Sequence, residues 1–394
     1  MANGGAHTHP APAPLGGKLI TPTTITLAIL TGIAGMLLLR RFFYGIGAVT
    51  NVNDGYPWGI WIAYDVVIGS ALACGGFAMA LLVYIFNKGE YHPLVRPALL
   101  ASMFGYTLAG MSVIFDLGRY WNFWHIFWPR YAQVNSVMFE VAVCITAYIL
   151  VMWIEFTPAI LERFGLAGLR RKLNKTLFFV IGLGVLLPTM HQSSLGSVLV
   201  VFGNQINPLW QTVLLPLLFL ISALMMGYAM VIFEACLSSV GFKRPMETEI
   251  LAKIAGVLNV FIVAFLVLRF GDLFFRGVFG LAFSQGFQSF MFWVETLLFV
   301  LPLLLVWRKA DRYSPRRLFL SGVFMVLAGF VYRINAYLIG YDTGPGWNYF
   351  PSLPELMITI GLIAFEILLY IVFVRTLPVL PAEEHSAAAA AAAK

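Results

Sequence analysis

Ten apolar runs constrain this chain more than any other feature of its sequence. A helix needs about 20 apolar residues to cross the hydrocarbon core of a bilayer. Lipid offers the backbone no hydrogen-bond partners, so such runs must be helical. With 60% hydrophobic and 11% charged residues, the chain has too little polar surface to cover a soluble globule. We therefore predict an all-α polytopic membrane protein with about ten transmembrane helices, near 20–39, 58–86, 95–116, 136–160, 176–200, 209–240, 250–270, 287–307, 318–340 and 355–378.

Two pairs of short motifs indicate an internal repeat. FDLGRYW ends the third run and GDLFFRG ends the seventh, while SVMFEV opens the fourth run and SFMFWVE opens the eighth. Asp116 and Asp272 are 156 positions apart, and Glu140 and Glu295 are 155 apart. Corresponding helices are four apart and point the same way, which predicts two four-helix bundles in parallel repeat, with one flanking helix at each end. Chance similarity is the alternative for motifs this short.

The predicted domain boundaries follow from this repeat. The N-terminal sequence lacks the charged start, apolar stretch and cleavage site of a signal peptide, so the first helix is expected to be retained. The alanines at the other end indicate a tag, a linker or a placeholder. The predicted segments are a cytoplasmic N-terminal tail (1–18), the first helix with an outer loop (19–57), the first bundle (58–205), the second bundle (206–345), the last helix (346–378) and a C-terminal tail (379–394).

Lysine and arginine are distributed unevenly between the predicted loops. If the helices alternate in direction, the side that holds both termini collects the basic stretches at 170–175 and 308–317. The opposite side has six arginines: Arg40, Arg41, Arg119, Arg130, Arg269 and Arg276. Positively charged loops stay in the cytoplasm, so both termini are predicted to be cytoplasmic. The net charge of +7 then reflects topology, and no nucleic-acid partner is expected.

The predicted outer loops are rich in Trp, Tyr and Phe, as in FDLGRYWNFWHIFWPRYAQVN and YLIGYDTGPGWNYFPS. An aromatic belt at the lipid headgroups would explain any single one of these residues. The predicted cytoplasmic loops are much less aromatic, however, and aromatic side chains are enriched at interfaces and in ligand pockets. This asymmetry favours an outer face that docks a partner or encloses an apolar ligand, with the loops near 120–130 and 341–350 at the interface.

The chain has few residues that could hold a redox centre. Cys74, Cys144 and Cys236 fall singly on different predicted helices, which excludes an iron-sulfur site with four cysteine ligands. A membrane haem b usually needs two histidines on facing helices, and only His191 falls in a predicted helix. We expect no haem, no iron-sulfur cluster and no metal site in this chain. A redox role would then require a diffusible carrier or the metals of a partner.

Ionisable residues inside the runs are the candidate functional residues, because such groups are costly in a membrane. His191 stands in LLPTMHQSSLGS, within the fifth run. Asp65, Glu140 and Glu234 have no obvious cation nearby in the sequence. The alternative for His191 is a core histidine bonded to the glutamine or serine that follows it. Two other acids can simply pair with a nearby arginine: Asp116 with Arg119, and Asp272 with Arg269 or Arg276.

These residues are predicted to sample the full depth of the membrane, counted at about 1.5 Å per residue from the helix ends. The expected positions are the outer third for Asp65, Asp116, Glu140, His191 and Glu295, the middle for Tyr106 and Glu366, and the cytoplasmic end for Glu155 and Glu234. Carboxyl groups at successive depths are what a proton relay requires.

Several blocks carry a family resemblance that extends from about residue 15 to residue 381. GYPWGIWIAYDVVIGSALACGG, FGYTLAG, NSVMFEVAVCITAYI, LLPTMHQSSLGS and VIFEACL resemble the HybB-type membrane subunit of nickel-iron uptake hydrogenases. That subunit type lies within the larger NrfD/PsrC-like group of quinone-interacting membrane subunits. The polar positions of the family fall here on Tyr106, Glu140, His191 and Glu234, for which the resemblance implies proton transfer.

The resemblance also implies a function and a set of partners. The chain would be a multi-pass protein of the bacterial inner membrane whose periplasmic face docks a ferredoxin-like iron-sulfur subunit and the small and large subunits of a nickel-iron hydrogenase. The clusters would belong to those partners. This subunit would exchange electrons with menaquinone or a related quinone. A stand-alone secondary transporter or proton channel, and a purely structural anchor, are the alternatives.

A quinone site needs an apolar slot, hydrogen-bond partners for two carbonyls and a protonatable group. His191, expected at the outer end of the fifth helix, suits the last role. The further candidates for the pocket are Trp58, Trp61, Asp65, Tyr120 and Asn122.

Overall fold

The computed structural model describes residues 11–381. Within this range, ten helices are long and apolar enough to cross a membrane, which confirms the predicted all-α polytopic fold. They are α1 Pro22–Tyr44, α2 Trp61–Ile85, α3 Gly89–Asp116, α4 Val137–Arg163, α5 Ala167–Gln205, α6 Leu215–Gly241, α7 Thr248–Phe275, α8 Phe287–Val306, α9 Pro315–Ile339 and α10 Leu353–Thr376. A short antiparallel ladder pairs β1 (Pro12–Ala13) with β2 (Leu380–Pro381). The predicted alanine tail lies outside the described residues.

Helix α5 differs most from its predicted limits. It contains Pro188 and several polar residues after it, and the helix is continuous through them. The hydroxyls of Thr189, Ser193 and Ser194 donate to carbonyls one turn back, so these side chains need no partner in lipid. His191 lies 11 residues before Phe202, the last α-helical residue, which is about 16 Å along the axis. The expectation that it lies at the outer end of the helix is therefore corrected.

Helix α2 is irregular and central. It has wide π-helical turns at Trp61–Ile68 and Leu81–Ile85 and a break in the helix at Ala73 and Cys74. It packs against α3, α6 and α9. At the break, a Cβ on Gly227 of α6 would lie 2.6 Å from the carbonyl oxygen of Cys74. Only glycine allows this approach, so α2 and α6 touch through their backbones, as small residues allow in membrane bundles.

The flanking helices pack on each other. Helices α1 and α10 run together, and Gly361 of α10 lies so close that its Cβ would be 2.2 Å from the Cβ of Ala34. Helices α3, α4, α5 and α6 pack in sequence, and α9 packs against both α6 and α8.

Asp272 pairs with Arg276 at 2.7 Å, whereas the charged neighbours of Asp116 are Glu355 and Arg41 rather than Arg119. The division into two repeated bundles stays a prediction.

Glu355 holds two loops at the start of α10. Its carboxylate accepts hydrogen bonds from the backbone N–H groups of Ser352 (2.6 Å) and Asn51 (3.0 Å) and from the hydroxyl of Tyr349 (2.8 Å). Burial and the adjacent Glu355 carboxylate raise the pKa of Tyr349, which keeps its hydroxyl protonated as a donor. The loop that precedes α10 is therefore tied to the loop between α1 and α2.

A buried ion pair joins α7 to α8. Arg269 and Glu295 approach to 2.8 Å, with side-chain exposures of 4% and 0%. Trp210 and Asn335 each donate to the other Glu295 oxygen at 2.8 Å, and the Arg269 guanidinium lies 5.0 Å from the ring centre of Tyr332. One Glu295 oxygen thus pairs with Arg269 and the other accepts two hydrogen bonds, which indicates a structural role.

We expect Glu295→Leu to destabilise the protein by about 3–5 kcal/mol, because it leaves the Arg269 charge buried without a partner. The measurement is the thermal unfolding midpoint of the purified chain in detergent. The matched control is Lys253→Met, which breaks an exposed ion pair with Glu90 and should change the midpoint little. Equal midpoints for the two variants would contradict a stabilising role for the buried pair.

Candidate functional site

His191 lies in a closed polar cluster at the centre of the helix bundle. Its Nε2 is 2.9 Å from the hydroxyl of Tyr106, and its Nδ1 is 2.9 Å from the carbonyl oxygen of Leu187. The ring of Tyr148 packs on both side chains. His191 and Tyr106 are fully buried. The structure thus brings together two of the four residues predicted for proton transfer, on helices α3 and α5.

Gln192 and Cys74 extend this cluster across three helices. The amide nitrogen of Gln192 lies 3.0 Å from Ser70 Oγ, 3.3 Å from Tyr106 Oη and 3.2 Å from His191 Nε2. The thiol of Cys74 is 3.2 Å from Tyr106 Oη. The alternative in which the neighbouring glutamine satisfies the histidine is therefore partly correct, but Tyr106 makes the closer contact.

Arg333 of α9 completes the cluster and was not predicted from the sequence. It is fully buried and donates to the carbonyl oxygens of Val67 (2.6 Å) and Phe219 (3.0 Å), and to Gln192 Oε1 (3.0 Å) and Ser222 Oγ (3.1 Å). An arginine inside the predicted span at 318–340 was a signal that the sequence offered. These contacts link α2, α5, α6 and α9 around one guanidinium.

A second polar region lines a cavity of about 480 Å³ on the other side of α2 and α3. Three carboxyl side chains line it at different levels along the bundle: Asp65 in the N-terminal half of α2, Glu366 in the C-terminal half of α10, and Glu234 in the C-terminal half of α6. Glu234 and Glu366 are close enough for their charges to interact, and the hydroxyl of Tyr370 faces Glu234. The cavity continues to the helix ends at Thr21 and Arg375.

Several polar atoms along this cavity lack a hydrogen-bond partner in the protein. Among the described residues they include Asp65 Oδ2, Glu234 Oε1 and Arg375 Nε. Buried polar groups without a protein partner are usually bonded to water when the space allows it. A water molecule takes up about 30 Å³ in the liquid, so this cavity is large enough for a chain of water molecules.

A thin wall separates the cavity from the histidine cluster. Ala73 and Gly105 line the cavity, and the next residue on each helix, Cys74 or Tyr106, belongs to the cluster. A Cβ on Gly105 would lie 2.7 Å from the Cβ of Ala73 and 3.1 Å from Glu366 Oε1. Glu366 therefore approaches α3 at Gly105, the residue that precedes Tyr106.

The residues predicted for a quinone pocket do not lie together. Of these residues, Asp65 lines the cavity and the others lie elsewhere. Trp58 is buried and donates to the carbonyl oxygen of Tyr337 at 2.9 Å. Trp61 belongs to a separate apolar cluster near α10. Tyr120 packs on Phe42. The other two lie apart from the cavity: Asn122, which is half-exposed, in the loop between α3 and α4, and His191 in the cluster.

Glu140 is distant from His191. It is half-buried in the first turn of α4, eight residues before Tyr148, the α4 residue that packs on His191. Eight residues correspond to about 12 Å along a helix. The expectation that Glu140 and His191 lie at a similar depth near the outer helix ends is therefore corrected.

Comparison with known proteins identifies the family. Residues 48–343 match the family described as polysulphide reductase, NrfD. The match covers more than half of the chain, so the chain belongs to the NrfD family. This result confirms the family resemblance of the sequence blocks.

Three relatives illustrate the range of this similarity. The probable Ni/Fe-hydrogenase 2 b-type cytochrome subunit of Escherichia coli (strain K12) is 47% identical over 373 residues, which cover 94% of this chain and 95% of the relative. The menaquinone reductase integral membrane subunit of Nitratidesulfovibrio vulgaris is 28% identical, with coverage of 86% and 87%. The Hdr-like menaquinol oxidoreductase integral membrane subunit of Archaeoglobus fulgidus is 23% identical, with coverage of 91% and 93%.

The first of these relatives overturns one expectation. The histidine and cysteine pattern predicted no haem, whereas the Escherichia coli protein is named a b-type cytochrome subunit, a name that denotes haem b. The described residues do not fit a pair of axial histidines. His92 and His125 lie in separate segments outside the bundle core, and both ring nitrogens of His191 already contact hydrogen-bonding atoms.

The cavity generates a prediction about water access. We expect a cysteine at Ala101, which lines the cavity, to react with a small, charged, water-soluble thiol reagent. A cysteine at the neighbouring Ser102 should not react, because its side chain is buried against the backbone N–H of Gly76. The unmodified chain, whose three described cysteines are buried, gives the background. Equal labelling at the two positions would contradict a water-accessible cavity.

Proposed function

We propose that this chain is the integral membrane subunit of a nickel-iron hydrogenase complex that transfers electrons to a quinone of the menaquinone type. In this role it anchors the iron-sulfur and catalytic subunits and conducts protons across the membrane. The names of two relatives, a hydrogenase subunit and a menaquinone reductase subunit, support the class of complex. The observation that carries the proton function is the cavity with carboxyl groups at several depths.

The outer part of the cavity suits a quinone ring. Reduction of a quinone takes up two electrons and two protons, so the ring needs an apolar slot and a protonatable group within reach. Asp65 provides a carboxyl group beside Ser112, and Leu108 and Leu362 provide apolar walls. The cavity volume lies within the usual range of about 300–1,000 Å³ for small-molecule sites. Trp58, Trp61, Tyr120 and Asn122 remain candidates for the approach to this site.

The inner part of the cavity suits proton delivery. Glu234 and Glu366 can exchange protons with water that enters past Ser238 and Arg375. In this proposal Glu234 takes up protons near the cytoplasmic end, and Glu366 passes them outward to Asp65. Tyr106 and His191 form the neighbouring hydrogen-bonded pair, and Glu140 exchanges protons near the outer surface.

The direction of proton uptake determines the energetics. If hydrogen is oxidised outside and the protons for the quinone also come from outside, no charge crosses the membrane. If the protons come from the cytoplasm, each one crosses the membrane potential, which corresponds to about 2.3 kcal/mol per 100 mV. The basic stretches at the end that holds Thr21 and Arg375 support a cytoplasmic position for the cavity mouth.

The outer loops suit the docking of an iron-sulfur partner. The segment Tyr120–Phe127 presents Trp121, Trp124 and Phe127, which are 59%, 44% and 45% exposed. Trp347 and Phe350 are exposed in the loop before α10, and Glu355 and Tyr349 hold that loop in place. Exposed aromatic groups on ordered loops are typical of the core of a protein interface.

Substitutions of different proposed proton-transfer residues should have different effects. His191→Ala and Glu140→Gln should abolish hydrogen-dependent quinone reduction in membranes, because they remove the proposed proton-transfer groups beside the cavity and near the outer surface. Glu234→Gln and Glu366→Gln should lower potential-driven hydrogen production at least tenfold while leaving quinone affinity unchanged. Dye reduction by the hydrogenase should persist in all four variants, since the dye bypasses the membrane step.

Assembly must be verified for each variant by co-purification with the partner subunits. The matched control is Glu162→Gln, a surface carboxyl that pairs with Arg96 and Arg170 and lies outside the cavity. Normal quinone turnover in all four assembled variants would show that these residues serve packing. A chain that co-purifies with no iron-sulfur partner would instead favour the secondary transporter or proton channel, which the acids at several depths also suit.

The docking face can be tested by chemical labelling. We expect Trp121, Trp124 and Trp347 to be protected from oxidative labelling in the complex and reactive in the isolated chain. Trp307, which is 58% exposed at the opposite end of the bundle, serves as the control and should react equally in both. Equal reactivity of the outer tryptophans with and without the partner would rule out this docking surface.

A further inference from the structure

Arg333 is a buried cation without an acidic partner among the described residues. Its side chain is fully buried, and its charged or titratable neighbours are Cys74, Tyr332, Tyr337 and Tyr106. None of these is a carboxyl group. A buried charge is normally paired or hydrogen-bonded. Here two carbonyl groups, one amide and one hydroxyl accept from the two terminal nitrogens of the guanidinium, while Nε has no hydrogen-bond partner among the described residues.

The contact with Gln192 determines which way the glutamine amide faces. The guanidinium of Arg333 can only donate, so it requires the carbonyl oxygen of the Gln192 side chain at 3.0 Å. The NH₂ group of Gln192 must then point in the other direction, toward Ser70 and His191 Nε2. If the Gln192 amide were flipped, its NH₂ group would face the N–H groups of Arg333, and both are donors. Arg333 therefore allows only one orientation of the Gln192 amide.

The orientation of Gln192 in turn defines the state of His191. The carbonyl oxygen of Leu187 can only accept, so Nδ1 of His191 carries a proton. Nε2 faces the NH₂ group of Gln192 at 3.2 Å, so a proton on Nε2 would oppose these donors and would have only the Tyr106 oxygen as an acceptor. The neutral ring, with Nε2 accepting from the Tyr106 hydroxyl at 2.9 Å, satisfies every contact.

We propose that Arg333 is a positioning residue that, through Gln192, holds His191 neutral, with Nε2 as an acceptor that only Tyr106 can protonate. The titratable groups that face His191 are Cys74 from α2, Tyr106 from α3, Tyr148 from α4 and Arg333 from α9. The only fixed charge among them is positive. A proton therefore occupies His191 only transiently, and the cluster resists proton leakage when no quinone is being reduced.

The resistance to proton leakage rests on the proposed role of His191 and Tyr106 in proton transfer. The neutral state of His191 is independent of that role. Gln192→Glu separates the two. It keeps an acceptor for Arg333 and the size of the side chain, but it replaces the NH₂ group that faces His191 with an oxygen. This oxygen accepts a hydrogen bond from a protonated Nε2, so the substitution should favour a charged ring.

The experiment is nitrogen NMR of the full chain, labelled with ¹⁵N-histidine and reconstituted in lipid. The chain has six histidines, and the signals of His191 are those that disappear in His191→Gln. We expect the unmodified chain to show neutral His191, protonated on Nδ1, between about pH 5 and pH 8. Gln192→Glu should show a charged ring over at least part of this range, and Arg333→Met should show a changed ratio of the two nitrogen signals.

Two results would overturn the proposal. One is a charged or Nε2-protonated His191 in the unmodified chain, and the other is an unchanged His191 spectrum in Gln192→Glu. A merely structural Arg333 predicts an unchanged His191 spectrum in Arg333→Met, and that result would contradict the positioning role. If Arg333→Met does not fold, Gln192→Glu still tests whether the side chain at position 192, through which Arg333 would act, defines the state of His191. Changed His191 signals together with normal hydrogen-dependent quinone reduction would support the positioning role and contradict the proposed proton-transfer function.

Discussion

Polar groups buried inside a membrane protein must find hydrogen-bond partners within the protein, and this requirement determines how the helices of this structure are placed. Lipid cannot accept or donate a hydrogen bond, so the buried guanidinium of Arg333 has to find its acceptors within the protein. It finds them on α2, α5 and α6, and its position on α9 thereby fixes the relative placement of four helices. The wide turns of α2 lie beside one of these acceptors, the Val67 carbonyl. Irregular turns of this kind often occur at functional sites.

The two polar regions differ in how well they are satisfied. In the histidine cluster, the groups of His191, Tyr106 and Gln192 face hydrogen-bond partners at 2.9–3.3 Å. In the cavity, one carboxyl oxygen of Asp65 and one of Glu234 have no hydrogen-bond partner in the protein. A satisfied cluster is rigid and holds a defined protonation state, whereas unpaired carboxyl groups beside open space can exchange protons with water. The two regions are suited to positioning and to delivery, respectively.

The sequence was sufficient for those features that depend on composition and periodicity. The ten apolar runs correspond to the ten helices of the described residues, and VIFEACL identified Glu234 as a candidate. The predicted depth of His191 was wrong, because Pro188 and the serines resemble an interruption although hydroxyl groups satisfy the helix locally.

Side-chain direction was harder to predict than helix position. Trp58, Trp61 and Asp65 are close in sequence, but the chain enters a wide helical turn there, so their side chains point to different neighbours. The position of Glu366 beside Gly105 depends on how α10 packs on α3, which a single sequence does not encode in any local pattern. The absence of paired histidines suggested that no haem is present, and the name of the Escherichia coli relative contradicts that inference.

The central claim is that protons for quinone reduction enter from the end of the bundle that holds Glu234, the cavity mouth and both described chain ends. The most direct measurement is proton uptake by the whole complex, oriented in liposomes and driven by hydrogen and a quinone, with a pH dye on each side of the membrane. Uptake on the side of the Glu234 end, with a membrane potential that an ionophore abolishes, is the predicted result. Uptake on the side of the aromatic loops, with no potential, would contradict this claim.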